Sequence, residues 1–249
     1  MDLVVEIPAD EYEIGDESVP NASPRHRRLQ RKSIWIDARP VSWGLFEEYV
    51  AGGGYGRNEL WPPLTARSGI DAFGPIDLRC QTLLRQSELC WQVDAFNEWK
   101  SLDNPATGLS WFEAYSVAKF YGARLPFEVE WEIAMRNYTS SKTEKRKCSA
   151  IPWCAFSLTD RGCVDTRGTL QEWTLDGFQP QYWRADFNRT GIPWAPETHT
   201  TGVSIRGSSP IDTHSHVCFR VGRPPDEGHP YRGFRRVWDY PPSPRQVEG

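Results

Sequence analysis

No stretch of this sequence stays apolar long enough to cross a membrane, and mean hydropathy is −0.60. Met1-Asp2-Leu3-Val4-Val5-Glu6 lacks the basic start and long apolar run of a secretory leader, so the chain is expected to be cytoplasmic. A charge excess of either sign is missing too. The formal net charge of −4 excludes a polyelectrolyte and gives no reason to expect nucleic acid or membrane as a partner. The one basic run, Arg25-His26-Arg27-Arg28 with Arg31 and Lys32, reads as a solvated edge that discourages strand pairing. No internal repeat, charge block or linker divides the chain, so a single domain over 1–240 is expected, with a frayed Pro-rich tail over 241–249. A regular cysteine framework is also absent. The six Cys (80, 90, 148, 154, 163 and 218) are irregularly spaced in a chain large enough to fold without staples, so free thiols are expected. The sequons at Asn137 and Asn188 are then expected to be without significance.

What the sequence does have is tryptophan, glycine and proline. Twelve Trp, twenty Gly and twenty Pro in 249 residues imply aromatic packing in a loop-rich fold. Strands are expected from Leu3 to Ile7, in a second short run ending at Gly15, and around Ser33 to Asp37. Leu45, Phe46, Tyr49 and Val50 recur at helical spacing after Ser42, and Gly52-Gly53-Gly54 ends that helix. Ser110 and Glu113 form a capping box ahead of the stripe Ala114, Val117, Ala118 and Tyr121, with Gly122 as the stop. A further helix starts at Pro126 and carries Glu128, Glu130 and Glu132. Those carboxylates do not converge as an acid/base pair would, and Glu130 reads as structural, opposite Arg124. The class is α+β, with few helices and much irregular backbone.

Six strings in order then resemble the formylglycine-generating-enzyme, or sulfatase-modifying-factor, family. Val5-Glu6-Ile7-Pro8 through Gly15 resembles its opening; Pro24-x-His26, Ile36-Asp37 and Pro40-Val41 follow. Pro105-Ala-Thr-Gly-Leu-Ser-Trp111 is close to a further family string, and Gly122-Ala-Arg-Leu-Pro-Phe-Glu-Val-Glu-Trp131 resembles the family's most specific one. Glu172-Trp173-Thr174 with Asp176, then Arg206-Gly-Ser-Ser209 and Gly233-Phe-Arg235, complete the series. The resemblance implies a C-type-lectin-like fold: a small twisted antiparallel sheet, two main helices and extensive loops.

The family includes copper-dependent oxidases that bind Cu(I) through two thiolates placed after the Arg-Gly-Gly-Ser-Trp string, along with non-haem-iron sulfoxide synthases. Aligned without a gap, those two thiolate positions fall on Asp212 and Val217; a one-residue insertion puts Cys218 at the second, and nothing supplies the first. Pro210 stands in place of the string's Trp. A standard formylglycine-generating oxidase is therefore not expected. What remains in the segment is His214-x-His216-x-Cys218. On a strand, His214 and His216 would share a face with Cα atoms about 6.6 Å apart, close enough to meet one copper or iron ion. The alternative is that these residues only make hydrogen bonds and fill space.

By resemblance, Cys218 and Ser208 are the candidate catalytic residues, and Arg206, Arg235 and Trp173 are the candidate substrate-binding residues. Buried ion pairs that pin loops are the competing role for the arginines. Glu172 stands at a family calcium position whose neighbouring Asn is here Thr169. Three functions stay open: a metal-dependent oxidative tailoring enzyme for a peptide or small thiol or amine substrate; a non-catalytic module presenting 211–230 to a ligand or partner protein; and an accessory domain acting with a partner enzyme.

Overall fold

The computed structural model describes residues 4–62, 102–136, 158–164, 166–167, 169–180, 202–210, 212 and 216–248. The chain opens as one long antiparallel ribbon. Strand β1 (Val4–Ile7) pairs with β4 (Ile34–Asp37), and β2 (Asp10–Ile14) pairs with β3 (His26–Gln30). Half of the basic run, His26 to Arg28, lies in β3, which pairs with the acidic β2 on one side and, among the described residues, has no strand on the other. Burial alternates along the ribbon as its pleat requires, with Tyr12 and Ile14 turned inward and Glu11 and Glu13 turned out.

Helix α1 (Trp43–Ala51) begins where Ser42 accepts the Leu45 N–H, and Gly52 ends it. Helix α2 (Trp111–Phe120) has the capping box its sequence announces: Glu113 N–H donates to Ser110 Oγ at 3.2 Å, and Ser110 N–H donates to Glu113 Oε2 at 2.8 Å. Gly122 follows at φ +67°, a conformation that favours glycine. Helix α3 (Glu128–Met135) starts two residues after Pro126, and Glu130 reaches back to the Phe127 N–H at 2.8 Å. A mixed sheet then forms in the order β7–β6–β5–β8, from β5 (Gln171–Gly177), β6 (Val203–Arg206), β7 (Arg220–Arg223) and β8 (Arg232–Phe234). Strand β8 runs parallel to β5, whereas the other neighbours are antiparallel. Strand β9 (Val237–Trp238) returns to β4, so the two ends of the chain share one sheet.

Among the described residues two apolar clusters fill the interior. One packs α1 and α2 against β5 through Tyr49, Trp111, Phe112, Val117, Trp173 and Phe234. The other packs the ribbon against α3 through Ile7, Ile14, Ile36, Trp131, Ile133 and Met135, and it includes Cys218. The tail does not simply fray: Pro244–Glu248 forms a short helix, α4. Arg236 donates to the carbonyls of Gln246 and Val247 at 3.2 and 2.9 Å, which replaces water at those groups.

Candidate functional site

The site segment leaves β6 at Arg206 and runs to β7 at Arg220. Gly207 has φ +74°, and a Cβ there would stand 2.9 Å from the Leu170 carbonyl and 3.3 Å from the Trp131 ring, so the segment crosses Trp131 on bare backbone. Asp212 closes the next turn. Its Oδ2 accepts from Ser209 N–H at 2.6 Å, Ser209 Oγ at 2.8 Å and Gln171 Nε2 at 3.0 Å. At the position where a first thiolate is expected there is thus a half-buried carboxylate engaged as a turn cap. Val217, at the second, is a buried core side chain.

The run His216–Cys218 is a turn and not a strand. Cys218 N–H donates to His216 Nδ1 at 3.2 Å and Phe219 N–H donates to the His216 carbonyl at 3.0 Å, which curls the chain and sends the two side chains apart. An imidazole whose Nδ1 accepts a backbone N–H carries its proton on Nε2. That Nε2 faces Asp16 Oδ2 at 3.7 Å, so His216 has no lone pair left for a metal in this arrangement. Its pKa is lowered by burial, with Asp16 opposing.

Cys218 lies on the core side. Its Sγ accepts from Arg136 Nη2 at 3.0 Å and donates to Glu132 Oε1 at 3.2 Å. Burial pushes the thiol pKa far up, and the Glu132 charge pushes it further, so the group is a neutral thiol and not a thiolate nucleophile. Among the described residues no three His, Cys, Asp or Glu side chains gather closely enough to hold a metal ion. The residues present do not fit a copper–thiolate pair. His214, the other candidate ligand, lies outside the described residues.

Around this segment sits a buried lattice of ion pairs. Arg220 binds Glu128 with two bonds of 2.6 Å, Arg206 bonds Glu132 and the Cys218 carbonyl, and Arg136 bonds Glu132 at 2.7 Å. Burial by itself would raise the Glu132 carboxyl, but Arg206 and Arg136 outweigh it and hold the group down to about 2. Asp176 shows the opposite outcome. Burial and the Glu128 charge raise its carboxyl well above its ordinary value, and it accepts the Glu128 N–H at 2.6 Å. Sequence reading missed Arg136 and Arg220 altogether. For Arg136 there was a signal, since it follows Glu132 by four residues on a helical stripe.

The residues expected to meet substrate have other partners. Arg206 and Arg235 are fully buried, and Arg235 grips Glu172 and the carbonyls of Asp37, Ala38 and Val164. Trp173 is buried as well, donating to the Leu109 carbonyl at 3.0 Å, with the Arg232 guanidinium 4.6 Å above its ring. Ser208 is closed to solvent. These are frame residues, and pinned loops are the role the geometry gives the arginines. The calcium expectation for Glu172 fails for a physical reason. Trp131 Nε1 and Arg235 Nε occupy one of its oxygens at 2.9 Å each, Thr166 Oγ1 and Arg235 Nη2 occupy the other at 2.5 and 3.2 Å, and the guanidinium would repel a cation. Arg124 and Glu130 do pair, at 2.7 Å, as their spacing suggests.

Similarity to known proteins runs along the whole arrangement. A family model described as the sulfatase-modifying factor enzyme 1-like domain matches residues 1–240. The formylglycine-generating enzyme of Mycobacterium tuberculosis is 26% identical, covering 94% of this chain and 91% of that protein. Hercynine oxygenase of the same organism is 29% identical over 57% of this chain, a match that takes in 32% of the oxygenase. Formylglycine-generating enzymes from two other bacteria are matched over about half of their length. The structure of PvdO from Pseudomonas aeruginosa superposes with a TM-score of 0.64 at 16% identity, covering 94% of this chain and 93% of PvdO, so the two share a fold.

Proposed function

The chain belongs to the sulfatase-modifying factor enzyme 1-like family, and on that footing we propose a divergent oxidative tailoring member that is not a standard formylglycine-generating oxidase. Its substrate class is a peptide or a small thiol or amine. The observation that carries the second half is Cys218: a neutral, fully buried thiol held between Glu132 and Arg136, with Asp212 capping a turn at the other thiolate position. The oxidative half is supported by relatives whose names include a formylglycine-generating enzyme and an oxygenase. This reading keeps copper or iron as its metal class, taken by ligands other than the Cys218 thiol, with His214 the first to test.

The test is elemental analysis of untagged protein after exposure to Cu(I) or Fe(II). Retention near one equivalent, lost in His214→Ala and kept in Cys218→Ser, is the expected result. Metal at background in the wild type removes metal dependence from the reading, and loss in Cys218→Ser would restore thiolate ligation.

One observation favours a non-catalytic binding module instead. His216 and His229 both accept a backbone N–H from two residues ahead, at 3.2 and 3.3 Å, so both imidazoles are tied into their own loops. Meanwhile Pro210, Asp212 and the stretch Gly228–Tyr231 stay partly open at the surface. Under that reading the wild type holds no metal, and substitutions within 226–231 change partner affinity while leaving stability unchanged.

A further inference from the structure

The aromatic side chains of α1 and of the turns after it pack as a continuous array. Tyr49 and Tyr55 have ring centroids 5.5 Å apart, and Tyr55 and Trp61 follow at 5.7 Å. From Tyr49 the contact runs through Phe120 at 5.5 Å to Tyr121 at a further 5.1 Å. A Cβ on Gly54 would overlap the Tyr49 ring, so bare backbone lets this part of the array close up. Packing would be served as well by phenylalanine, so the hydroxyls are what call for a reason.

Those hydroxyls are not equivalent. Tyr55 is 7% exposed, and its O–H donates to Glu113 Oε1 at 2.5 Å, the length of a charge-assisted bond. Glu113 is fully buried in the first turn of α2, where the helix dipole favours a negative charge. Its other oxygen takes the Ser110 N–H and hydroxyl at 2.8 Å each. Tyr49 instead bonds the Ser116 hydroxyl at 2.8 Å, a far weaker base. Tyr121 donates to the Leu45 carbonyl at 2.7 Å, with Glu48 further off at 3.3 Å. The Trp61 indole N–H is buried with no hydrogen-bond partner among the described residues. A phenol gives up an electron far more easily when its proton can leave in the same step. Of these rings, Tyr55 is the one with a close, fully buried carboxylate aligned to take that proton.

We propose that Tyr55 and Glu113 form a one-electron redox site, in contact with Tyr49 and Trp61, that traps an oxidising equivalent as a tyrosyl radical. The co-reactants are, by class, a one-electron oxidant able to oxidise a phenol and a thiol that later reduces the site. As the oxidant takes one electron, the Tyr55 O–H bond breaks and its proton passes to Glu113 Oε1. A neutral phenoxyl radical and a neutral carboxylic acid remain. The thiol then supplies one electron while Glu113 returns the proton, which restores both side chains. The thiol's own proton goes to water, and two thiyl radicals from two such cycles join as a disulfide. No metal bound to this chain is needed, so this inference and the oxidative reading above can fail separately.

The experiment is photo-oxidation of the intact, metal-free chain with a ruthenium polypyridyl complex and a cobalt(III) ammine as electron acceptor, followed by freezing and electron paramagnetic resonance. The wild type should give a neutral tyrosyl signal that persists in Tyr240→Phe, which removes an exposed phenol outside the array. Tyr55→Phe should lose most of that signal. Glu113→Gln, whose amide cannot take up the proton, should lose it too, and circular dichroism checks that each variant is folded. A wild-type signal removed by Tyr240→Phe places the radical on the surface and overturns the proposal. So does a signal of full size in Tyr55→Phe or in Glu113→Gln, or none in the wild type.

Discussion

Glu172–Arg235 and Glu11–Arg27 are the same kind of ion pair in two regions of one molecule. The first lies in the frame around β5 with neither side chain exposed, its bonds at 2.9 and 3.2 Å; the second crosses the β2–β3 ribbon at 3.0 Å with side chains 51% and 77% exposed. Distance does not separate them. Burial does, because a charge stripped of water depends on its partner, whereas a charge in water hardly notices one. The family's arginines therefore hold up the frame, and the ribbon's arginines keep an edge soluble.

The sharpest way to break that comparison is to remove Arg235. Arg235→Ala leaves Glu172 buried with Trp131 and Thr166 as its donors among the described residues, and should cost about 3–5 kcal/mol in urea unfolding. Replacing both members by apolar residues of similar size should cost far less than either single change. A double replacement as damaging as the single ones would mean that the pair itself, and not the orphaned charge, supplies the stability.

The second prediction concerns pH. Glu132 is fully buried and its carboxyl is lowered from 4.5 to about 2 in the folded protein, so folding is favoured wherever the group is ionised. The unfolded state binds the proton more readily, so this stabilisation is complete above about pH 4.5 and is lost as pH falls toward 2. Its size is on the order of 3 kcal/mol, from a shift between two and three units at 1.36 kcal/mol each. Unfolding free energy measured from pH 5 to pH 2 should fall along that window. Glu132→Gln should be less stable at pH 6 and nearly flat in that range; a Gln variant with the wild-type slope would assign the acid lability to other groups, such as Glu128.

How much of this could be read from the sequence depends on how local each feature is. The capping box at Ser110 and Glu113, the stop at Gly122 and the Arg124–Glu130 pair all lie within a few residues and were legible. The turn at His216–Cys218 was not, because the alternation of residue types is the same whether or not His216 turns back to accept the Cys218 N–H. Nor could spacing reveal that Cys218 meets Glu132, eighty-six residues away, or that Gly15 meets the same carboxylate across 117. Family strings located the frame correctly and still suggested an open face for Arg206, Arg235 and Trp173, since similarity of sequence carries no information on which side of a buried ion pair a substrate would stand.

Gly15→Ala is the third test, and it sharpens the comparison from the weaker region. The ribbon's surface is permissive, yet this one position has φ +85° and a carbonyl oxygen 2.2 Å from where a Cβ would sit. The expected loss is roughly 2–3 kcal/mol, from left-handed backbone plus displacement of a rigid neighbour. A change below about 0.5 kcal/mol would show that the loop over residues 15–25 yields as a unit.

The smallest expected effect lies at Glu11–Arg27. A double-mutant cycle of Glu11→Ala, Arg27→Ala and the double variant isolates their coupling from their separate effects on strand propensity. Two long side chains held in one geometry lose rotamer freedom, and water screens their attraction, so the coupling should be no more than about 0.5 kcal/mol and should vanish in molar salt. Arg25 and Glu13 form a similar exposed pair on the same ribbon face at 3.5 Å, which gives a route to a larger number. If these four charges act as a network, the measured coupling will exceed that bound and will drop when Arg25 is also replaced. A coupling above 1 kcal/mol that is indifferent to both salt and Arg25 would contradict the claim that burial, and not chemistry, separates the two regions.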